Sequence, residues 1–258
     1  MTKFSPYPRR TYRRLRASWA RRNAPALALV GAATVVLLCV ETALILILVP
    51  TSGFRWWFLG AFQVGFVGVA LHLVNAAFLA TEREAVWQLR GAWGEEFTRD
   101  ELRRAKKKRS VWGWVDSINL QAGDLDHLVL TRSGGFVAID SKWRSDGRDT
   151  AEMARSAARA RLRAEAVTRS LLKSERGGHR AKVHAAPVRP VVVIWGPAQH
   201  NVPDNFEVDG IEFVGGRRLL AWLQSLSGEQ VDKVAAKDAL ERLKEFRTQA
   251  WDVRAPAR

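Results

Sequence analysis

Two long apolar runs near the N-terminus place the strongest constraint on what this chain can fold into. Residues 26–49 contain one charged residue, Glu41, and residues 56–80 contain no Asp, Glu, Lys or Arg. A helix of about 20 apolar residues spans the hydrocarbon core of a bilayer, so both runs are long enough to cross it. The short segment Pro50–Arg55 separates them and has the proline and glycine of a tight turn. The sequence therefore predicts a helical hairpin that crosses a membrane twice.

The distribution of basic residues predicts the orientation of this hairpin. The 258-residue chain has a formal net charge of +15, and eight of its basic residues lie in residues 1–25, which contain no acidic residue. The connector between the apolar runs carries only Arg55. Because basic segments beside membrane helices stay in the cytoplasm, we expect a two-span protein of the cell membrane with both termini cytoplasmic. The single cysteine, Cys39, excludes a disulfide framework and a cysteine-cluster metal site.

Polar side chains inside the apolar runs leave two interpretations open. Glu41, His72 and Asn75 could line a transport pathway, although two helices cannot enclose a pore without several copies of the chain. Hydrogen bonding between the helices, or burial in a homo-oligomer formed through the hairpin, is the simpler interpretation. Close helix packing is favoured by three glycines of the second run, Gly60, Gly65 and Gly68. The lipid bilayer is the partner that the sequence predicts most directly.

The rest of the chain has the pattern of an α/β domain. Apolar periodicity predicts helices over 82–108, 149–174, 217–226 and 229–246. Runs of β-branched and aromatic residues predict strands over 111–118, 125–131, 135–143, 190–195 and 211–214. The mixed order, with one continuously apolar strand that is typical of burial on both faces, predicts a three-layer domain with a mixed central sheet. The predicted organisation is a basic cytoplasmic tail, two transmembrane helices, this domain, and a C-terminal helix with its tail, over residues 1–25, 26–80, 81–226 and 227–258.

Two carboxylates and a lysine form the first chemical pattern in this domain. Asp126 begins one predicted strand and Asp140 lies near the end of the next, so an antiparallel hairpin would bring them side by side. Adjacent carboxylates repel unless a cation joins them, and their oxygens suit Mg²⁺ or Mn²⁺. Lys142 shares a strand face with Asp140, whereas His127 faces the other side of its strand from Asp126 and is expected to be a core or surface residue. A solvated ion pair at a strand end remains an alternative for these residues.

At these residues the sequence resembles the nuclease-related domain (NERD) family, a branch of the PD-(D/E)XK restriction-endonuclease-like superfamily. The matching motifs are Gly91–Glu95, Leu125–Leu130 and Gly134–Trp143, and the resemblance covers about residues 88–200. It implies a restriction-endonuclease-like fold in which Asp126 and Asp140 bind Mg²⁺ or Mn²⁺ and Lys142 is the catalytic lysine. Glu95 would be the acidic residue of the first helix, as a further catalytic residue and metal ligand. NERD domains are also found fused to transmembrane helices.

Two departures from the family pattern affect this interpretation. Asp140 stands where most members have glutamate, and the predicted helix 149–174 lacks the glutamine that many members carry there. Helical phase also conflicts with the motif, because the apolar stripe of Trp93 and Phe97 would turn Glu96 toward the sheet. The motif favours Glu95, and both glutamates stay open as candidates.

A run of basic residues lies at the end of the first predicted helix of the domain. It predicts contacts with phosphate groups, without base-specific recognition, through Arg103, Arg104, Lys106, Lys107, Lys108 and Arg109. The predicted helix 149–174 adds arginines that could also follow a phosphate backbone, and a solvated helix face is the alternative for them: Arg155, Arg159, Arg161, Arg163 and Arg169. The sequence thus predicts a membrane-anchored protein that hydrolyses phosphodiester bonds of DNA or RNA with Mg²⁺ on the cytoplasmic face. The alternative is a catalytically inactive domain that binds nucleic acid or a protein at the membrane.

Overall fold

The computed structural model describes residues 7–118, 120, 123–173 and 188–252. The parts of the predicted tails and of helix 149–174 that fall on residues 1–6, 174 and 253–258 lie outside this description. The chain forms two compact units, one comprising Pro8–Leu89 and the other built from Arg90 onward. Each unit is described by itself below.

The first unit contains three helices and the start of a fourth. These are α1 (Tyr7–Arg22), α2 (Ala24–Leu48), α3 (Gly53–Thr81) and α4 (Arg83–Lys107). Helices α2 and α3 are long and apolar enough to cross a membrane, and most of their large apolar side chains are exposed. They contact each other, and Gln63 Nε2 donates a hydrogen bond to Thr42 Oγ1 at 3.1 Å. The two predicted apolar helices are therefore present.

Two details of this unit differ from expectation. The basic N-terminal segment was expected to be a tail, but its described part is the helix α1, which packs through Trp19 against Phe78 of α3. The three glycines expected to allow close packing have no atom of the described structure within 4 Å of an added Cβ, so close packing within the hairpin does not explain Gly60, Gly65 and Gly68.

The second unit is built on a six-stranded mixed sheet. Its strands are β1 (Val111–Ile118), β2 (Leu125–Thr131), β3 (Phe136–Trp143), β4 (Arg189–Trp195), β5 (Phe206–Val208) and β6 (Ile211–Gly215), in the spatial order β1-β2-β3-β4-β6-β5. β1, β2 and β3 are antiparallel neighbours, β3, β4 and β6 are parallel, and β5 pairs antiparallel with β6. β5 was not predicted, because three residues are too short for a recognisable alternating pattern.

Helices cover both faces of this sheet. The later turns of α4 and helix α6 (Leu219–Ser225) pack on one face, where Leu102 contributes to a core with Ile139 and Val193. Helices α5 (Thr150–Lys173) and α7 (Lys233–Asp252) pack on the other face, where Leu128 and Ala138 point. The predicted three-layer α/β architecture with a mixed sheet is confirmed and is consistent with a restriction-endonuclease-like domain.

Candidate active site

The pairing of β2 with β3 brings two aspartates together at one end of the sheet. His127 pairs with Ile139 and Leu128 with Ala138, so one further step of the same register sets Asp126 beside Asp140. The backbone N–H of Ser141 donates to Asp126 Oδ2 at 2.8 Å and fixes this carboxylate at the strand end. Strand alternation places both aspartates on the face covered by α5.

Lys142 completes this group on the same strand face. Its Nζ lies 2.7 Å from Asp140 Oδ1, within ion-pair distance. Burial would lower the pKa of Lys142, but the charges of Asp140 and Asp126 outweigh burial and raise it. Lys142 is therefore an ammonium group at neutral pH, which makes it a hydrogen-bond donor and a positive charge at this site.

Two carboxyl groups of this region have raised pKa values, so they ionise less readily than usual. Burial, followed by the negative charge of Asp140, raises the pKa of Asp126 to about 6, although Lys142 and the N–H of Ser141 act in the opposite direction. Burial also raises the pKa of Glu95 well above its usual range, and Asp126 adds to this effect. A carboxyl group that resists ionisation in this way becomes a strong anionic ligand once a cation compensates its charge.

The structure decides between the two glutamates of α4. Glu95 is buried at 7% exposure, whereas Glu96 is only partly buried, and Trp93 and Phe97 are 36% and 41% exposed. The phase argument that turned Glu96 toward the sheet was therefore wrong. Glycine and a small side chain lie against the sheet instead, at Gly94 and Thr98.

The larger aromatic residues of α4 flank this contact. The ring of Trp93 lies 5.5 Å from that of Trp143, and the ring of Phe97 lies 5.4 Å from that of Trp195. Trp195 Nε1 donates to Thr98 Oγ1 at 2.7 Å, and Thr98 Oγ1 lies 2.8 Å from Ser141 Oγ. This buried chain of hydrogen bonds fixes α4, and with it Glu95, relative to the end of β3.

A buried polar cluster beside this site was missed by sequence reasoning. His127 is fully buried, as expected of a core histidine, and its Nδ1 lies 2.7 Å from Asp116 Oδ1. Arg99 Nε donates to the other oxygen of Asp116 at 2.9 Å. Burial raises the pKa of Asp116, but the hydrogen bond and charge of His127, with Arg99, outweigh it and lower the pKa. Asp116 is the one charged residue of the strand 111–118, and this was the signal that could have revealed the cluster.

The carboxylates of this site offer oxygen ligands for a divalent cation. Asp140 Oδ2 and Glu95 Oε2 are buried oxygens without a hydrogen-bond partner in the described part of the chain. Among those same residues, no three His, Cys, Asp or Glu side chains are grouped so that they could hold one ion. Mg²⁺ in proteins is commonly bound by one or two carboxylates, with water and substrate phosphate completing its shell. Asp126 and Asp140 could supply the two carboxylates of such a site. Glu95, predicted as a further ligand, is not grouped with them as a third ligand.

The part of the chain that contains these residues matches a known protein family. The profile of the nuclease-related domain family matches residues 90–195. This part of the chain is a NERD domain. NERD domains belong to the PD-(D/E)XK superfamily, so the resemblance drawn from the motifs is confirmed. No curated protein and no solved structure matches the chain.

The basic run lies far from the carboxylates of the NERD domain. It ends just before β1, whose first residue, Val111, pairs with Thr131 at the opposite end of β2 from Asp126. Five residues of extended strand correspond to about 17 Å. The run is exposed, but Arg103 pairs with Asp100 at 2.5 Å and Arg104 with Glu101 at 2.7 Å. The structure therefore does not bring the run and the carboxylates into one site.

A different basic residue lies at the carboxylate end of the NERD domain. Arg163 of α5 donates to the carbonyl oxygen of Asp124 at 3.4 Å, two residues before Asp126. Its guanidinium also lies against Gly123, where an added Cβ would be 2.8 Å from Arg163 Nη2 and where φ is +116°. The positive φ favours glycine at this position, whereas the guanidinium is the end of a flexible side chain and could move away from a Cβ. Arg163 is the arginine of α5 that sequence reasoning could not distinguish from its neighbours, because the contact is long-range.

Proposed function

We propose that this protein is a membrane-anchored, Mg²⁺- or Mn²⁺-dependent nuclease that hydrolyses phosphodiester bonds of DNA or RNA on the cytoplasmic face. The observation that carries this proposal is the placement of Asp126, Asp140 and Lys142 on one face at one end of the β2–β3 hairpin. This is the residue set that the PD-(D/E)XK superfamily uses, and it lies in the part of the chain that is a NERD domain.

The aspartates would hold the cation and thereby the scissile phosphate. Asp126 and Asp140 would supply carboxylate oxygens, of which Asp140 Oδ2 has no partner among the described residues. A bound divalent cation supplies Lewis-acid polarisation of the phosphate and lowers the pKa of bound water. The Ser141 N–H holds Asp126 in a fixed orientation, so the ligand geometry needs little reorganisation on binding.

Lys142 would act as a positive charge rather than as a base. Because its pKa is raised, it keeps its proton at neutral pH and can donate to a non-bridging phosphate oxygen or orient the attacking water. Glu95 has a raised pKa that depends on burial and on Asp126, so it can carry a proton while Asp126 is ionised. Glu95 thereby limits the negative charge that the phosphate meets.

Membrane anchoring is the second half of the proposal. It is supported by the apolar surface that α2 and α3 expose along their full length. Contact of so large an apolar surface with water is unfavourable, whereas a bilayer would cover it. The basic N-terminal segment and the nearly uncharged connector favour cytoplasmic termini. The anchor would confine the enzyme to nucleic acid that comes close to the membrane.

The test is cleavage of labelled DNA and RNA by the full chain in detergent, with Mg²⁺, Mn²⁺ or EDTA. We expect metal-dependent cleavage by the wild type, and loss of at least a hundredfold in Asp140→Ala and in Lys142→Ala. Lys237→Ala, which removes an exposed lysine of α7 outside the basic run, is the matched control and should cleave normally. An undiminished rate in either site variant would reject the assignment.

The competing function is an inactive NERD domain that binds nucleic acid or a protein at the membrane. Two observations favour it: no three-residue ion site exists among the described residues, and Lys142 already occupies one oxygen of Asp140. Titration with Mg²⁺ separates the two functions. An inactive domain would bind oligonucleotide equally well in Mg²⁺ and EDTA and would show no cation binding that depends on Asp126.

A further inference from the structure

The basic N-terminal segment forms a helix, α1, although its charges oppose helix formation. Helix α1 contains seven arginines and no acidic residue over Tyr7–Arg22. Like charges spaced one turn apart, such as Arg9 with Arg13 and Arg10 with Arg14, destabilise an isolated helix. Contacts with the rest of the chain must therefore stabilise α1, and they fix where its charges lie.

Helix α1 is docked on the end of α3 by a specific set of contacts. Trp19 is buried against Phe78, with ring centroids 5.4 Å apart, and its Nε1 donates to Thr81 Oγ1 at 2.9 Å. Tyr12 contacts the same phenylalanine edge-to-face at 5.6 Å. Arg22 forms an ion pair with Glu82, the residue that follows α3. These contacts hold α1 where the apolar helix α3 ends.

The remaining surface of α1 carries an exposed set of positive charges. The arginine face, as we name it, consists of four exposed residues: Arg13, Arg14, Arg16 and Arg21. In the described part of the chain, the side chains of these four residues form no ion pair. Because residues 1–25 contain no acidic residue, the sequence near them supplies no compensating charge. The arginine face is therefore complementary to an external anionic surface.

We propose that the arginine face binds the anionic phosphate groups of acidic phospholipids in the cytoplasmic leaflet. This inference rests on the proposed insertion of α2 and α3 in the membrane. Since α1 and both apolar helices form one compact unit, insertion of α2 and α3 would bring α1 to the membrane surface. Guanidinium groups bind phosphate oxygens bidentately, and basic segments beside a membrane helix are attracted to anionic lipid. Lipid is favoured over nucleic acid as the occupant because α1 is fixed to the end of a helix that would leave the bilayer there.

The test is lipid binding by the full chain in detergent, measured by native mass spectrometry with phosphatidylglycerol and phosphatidylcholine of equal chain length. We expect tighter binding of phosphatidylglycerol by the wild type. A variant with four arginine-to-glutamine substitutions, at Arg13, Arg14, Arg16 and Arg21, should lose this preference at least tenfold, since each basic residue near an anionic surface contributes roughly a fivefold effect. The matched control neutralises four exposed arginines of the second unit and should keep the preference: Arg155, Arg159, Arg169 and Arg217.

Further arms keep the result interpretable. A variant with lysine at the four positions of the arginine face keeps the charge, so it should retain most of the preference if the glutamine variant folds poorly. Extraction of membranes with alkali tests insertion independently. Release of the protein by alkali would contradict anchoring, whereas a lost headgroup preference would contradict only the lipid-binding proposal. Equal binding of both lipids by the wild type would overturn the proposal. So would unchanged preference in the glutamine variant, or an effect of that variant on oligonucleotide binding alone.

Discussion

The ammonium group of Lys142 lies 2.7 Å from a carboxylate oxygen of Asp140, two residues earlier on the same strand. Strand alternation brings the two side chains to one face, and the neighbouring Asp126 increases the negative potential around the lysine. The pair therefore combines an anionic oxygen that could hold a cation with a positive charge that could meet a phosphate. This relationship underlies the first prediction.

Replacing Lys142 tests whether its charge stabilises the transition state. Lys142→Gln should lower kcat for phosphodiester cleavage by about 10²–10³-fold, the effect of removing one electrostatic donor, while Lys142→Arg should retain part of the rate because it keeps the charge. Steady-state kinetics in Mg²⁺ with an oligonucleotide substrate measures both. Equal rates in the glutamine and arginine variants would contradict the role of the charge.

Asp126 should oppose folding at neutral pH when metal is absent. Its pKa is about 6 in the folded chain against 3.8 ordinarily, so the folded state binds the extra proton and loses stability as pH rises from about 4 to 6. Asp126→Asn removes this cost and should raise the free energy of unfolding by up to about 3 kcal/mol at pH 7. Denaturant unfolding in EDTA should show the gain at pH 7 and its disappearance below pH 4. The exposed control Asp146→Asn should show neither effect.

Mg²⁺ should stabilise the wild type through the two aspartates. A ligand that binds only the folded state at ten times its Kd adds about 1.4 kcal/mol to the free energy of unfolding, which raises Tm. Asp126→Asn and Asp140→Asn should each abolish the Mg²⁺-dependent rise, whereas Glu95→Gln should retain part of it, because Glu95 is not grouped with the two aspartates as an ion site. Thermal unfolding of the full chain across a Mg²⁺ titration measures this difference.

The buried cluster of Asp116, His127 and Arg99 should be a structural requirement. Asp116→Ala leaves the buried His127 and the partly buried Arg99 without their shared partner and should cost about 1–3 kcal/mol. Asp100→Ala removes the exposed partner of Arg103 and should change stability by less than about 1 kcal/mol. The pKa of Asp116 is lowered, so its contribution is complete above pH 3.8 and is lost as pH falls below that value. Denaturant unfolding at pH 7 and at pH 3 checks both the size and the sign.

The basic run should influence only substrates long enough to reach it. The run ends just before Val111, which lies about 17 Å along the sheet from Asp126. Neutralising Lys106, Lys107 and Lys108 should therefore raise KM for a long oligonucleotide and weaken its salt dependence. Cleavage of a small phosphodiester, which cannot extend over this distance, should be unchanged. A loss with the small substrate would place the run at the reaction centre, in conflict with the strand register.

Sequence reasoning succeeded where the determinants are local. The two apolar helices and the buried strand at 190–195 follow from composition over a single segment, because length and hydropathy decide whether such a segment can be exposed to water. The strand period of two places three side chains on one face of the sheet: Asp126, Asp140 and Lys142. A short turn between the two strands is enough to bring them together. The family motifs identified the NERD domain from the same local residues.

The tertiary structure decided what depends on partners distant in sequence. The side of α4 that faces the sheet is the one with small residues, because glycine and small side chains allow close approach, so Glu95 is buried although the large apolar residues indicated Glu96. Strand register placed the basic run at the far end of the sheet and joined Asp116 to His127. Packing of Trp19 on Phe78 made a helix of a segment whose charges alone disfavour one. In each case the deciding free energy comes from a contact between segments, which neither segment encodes by itself.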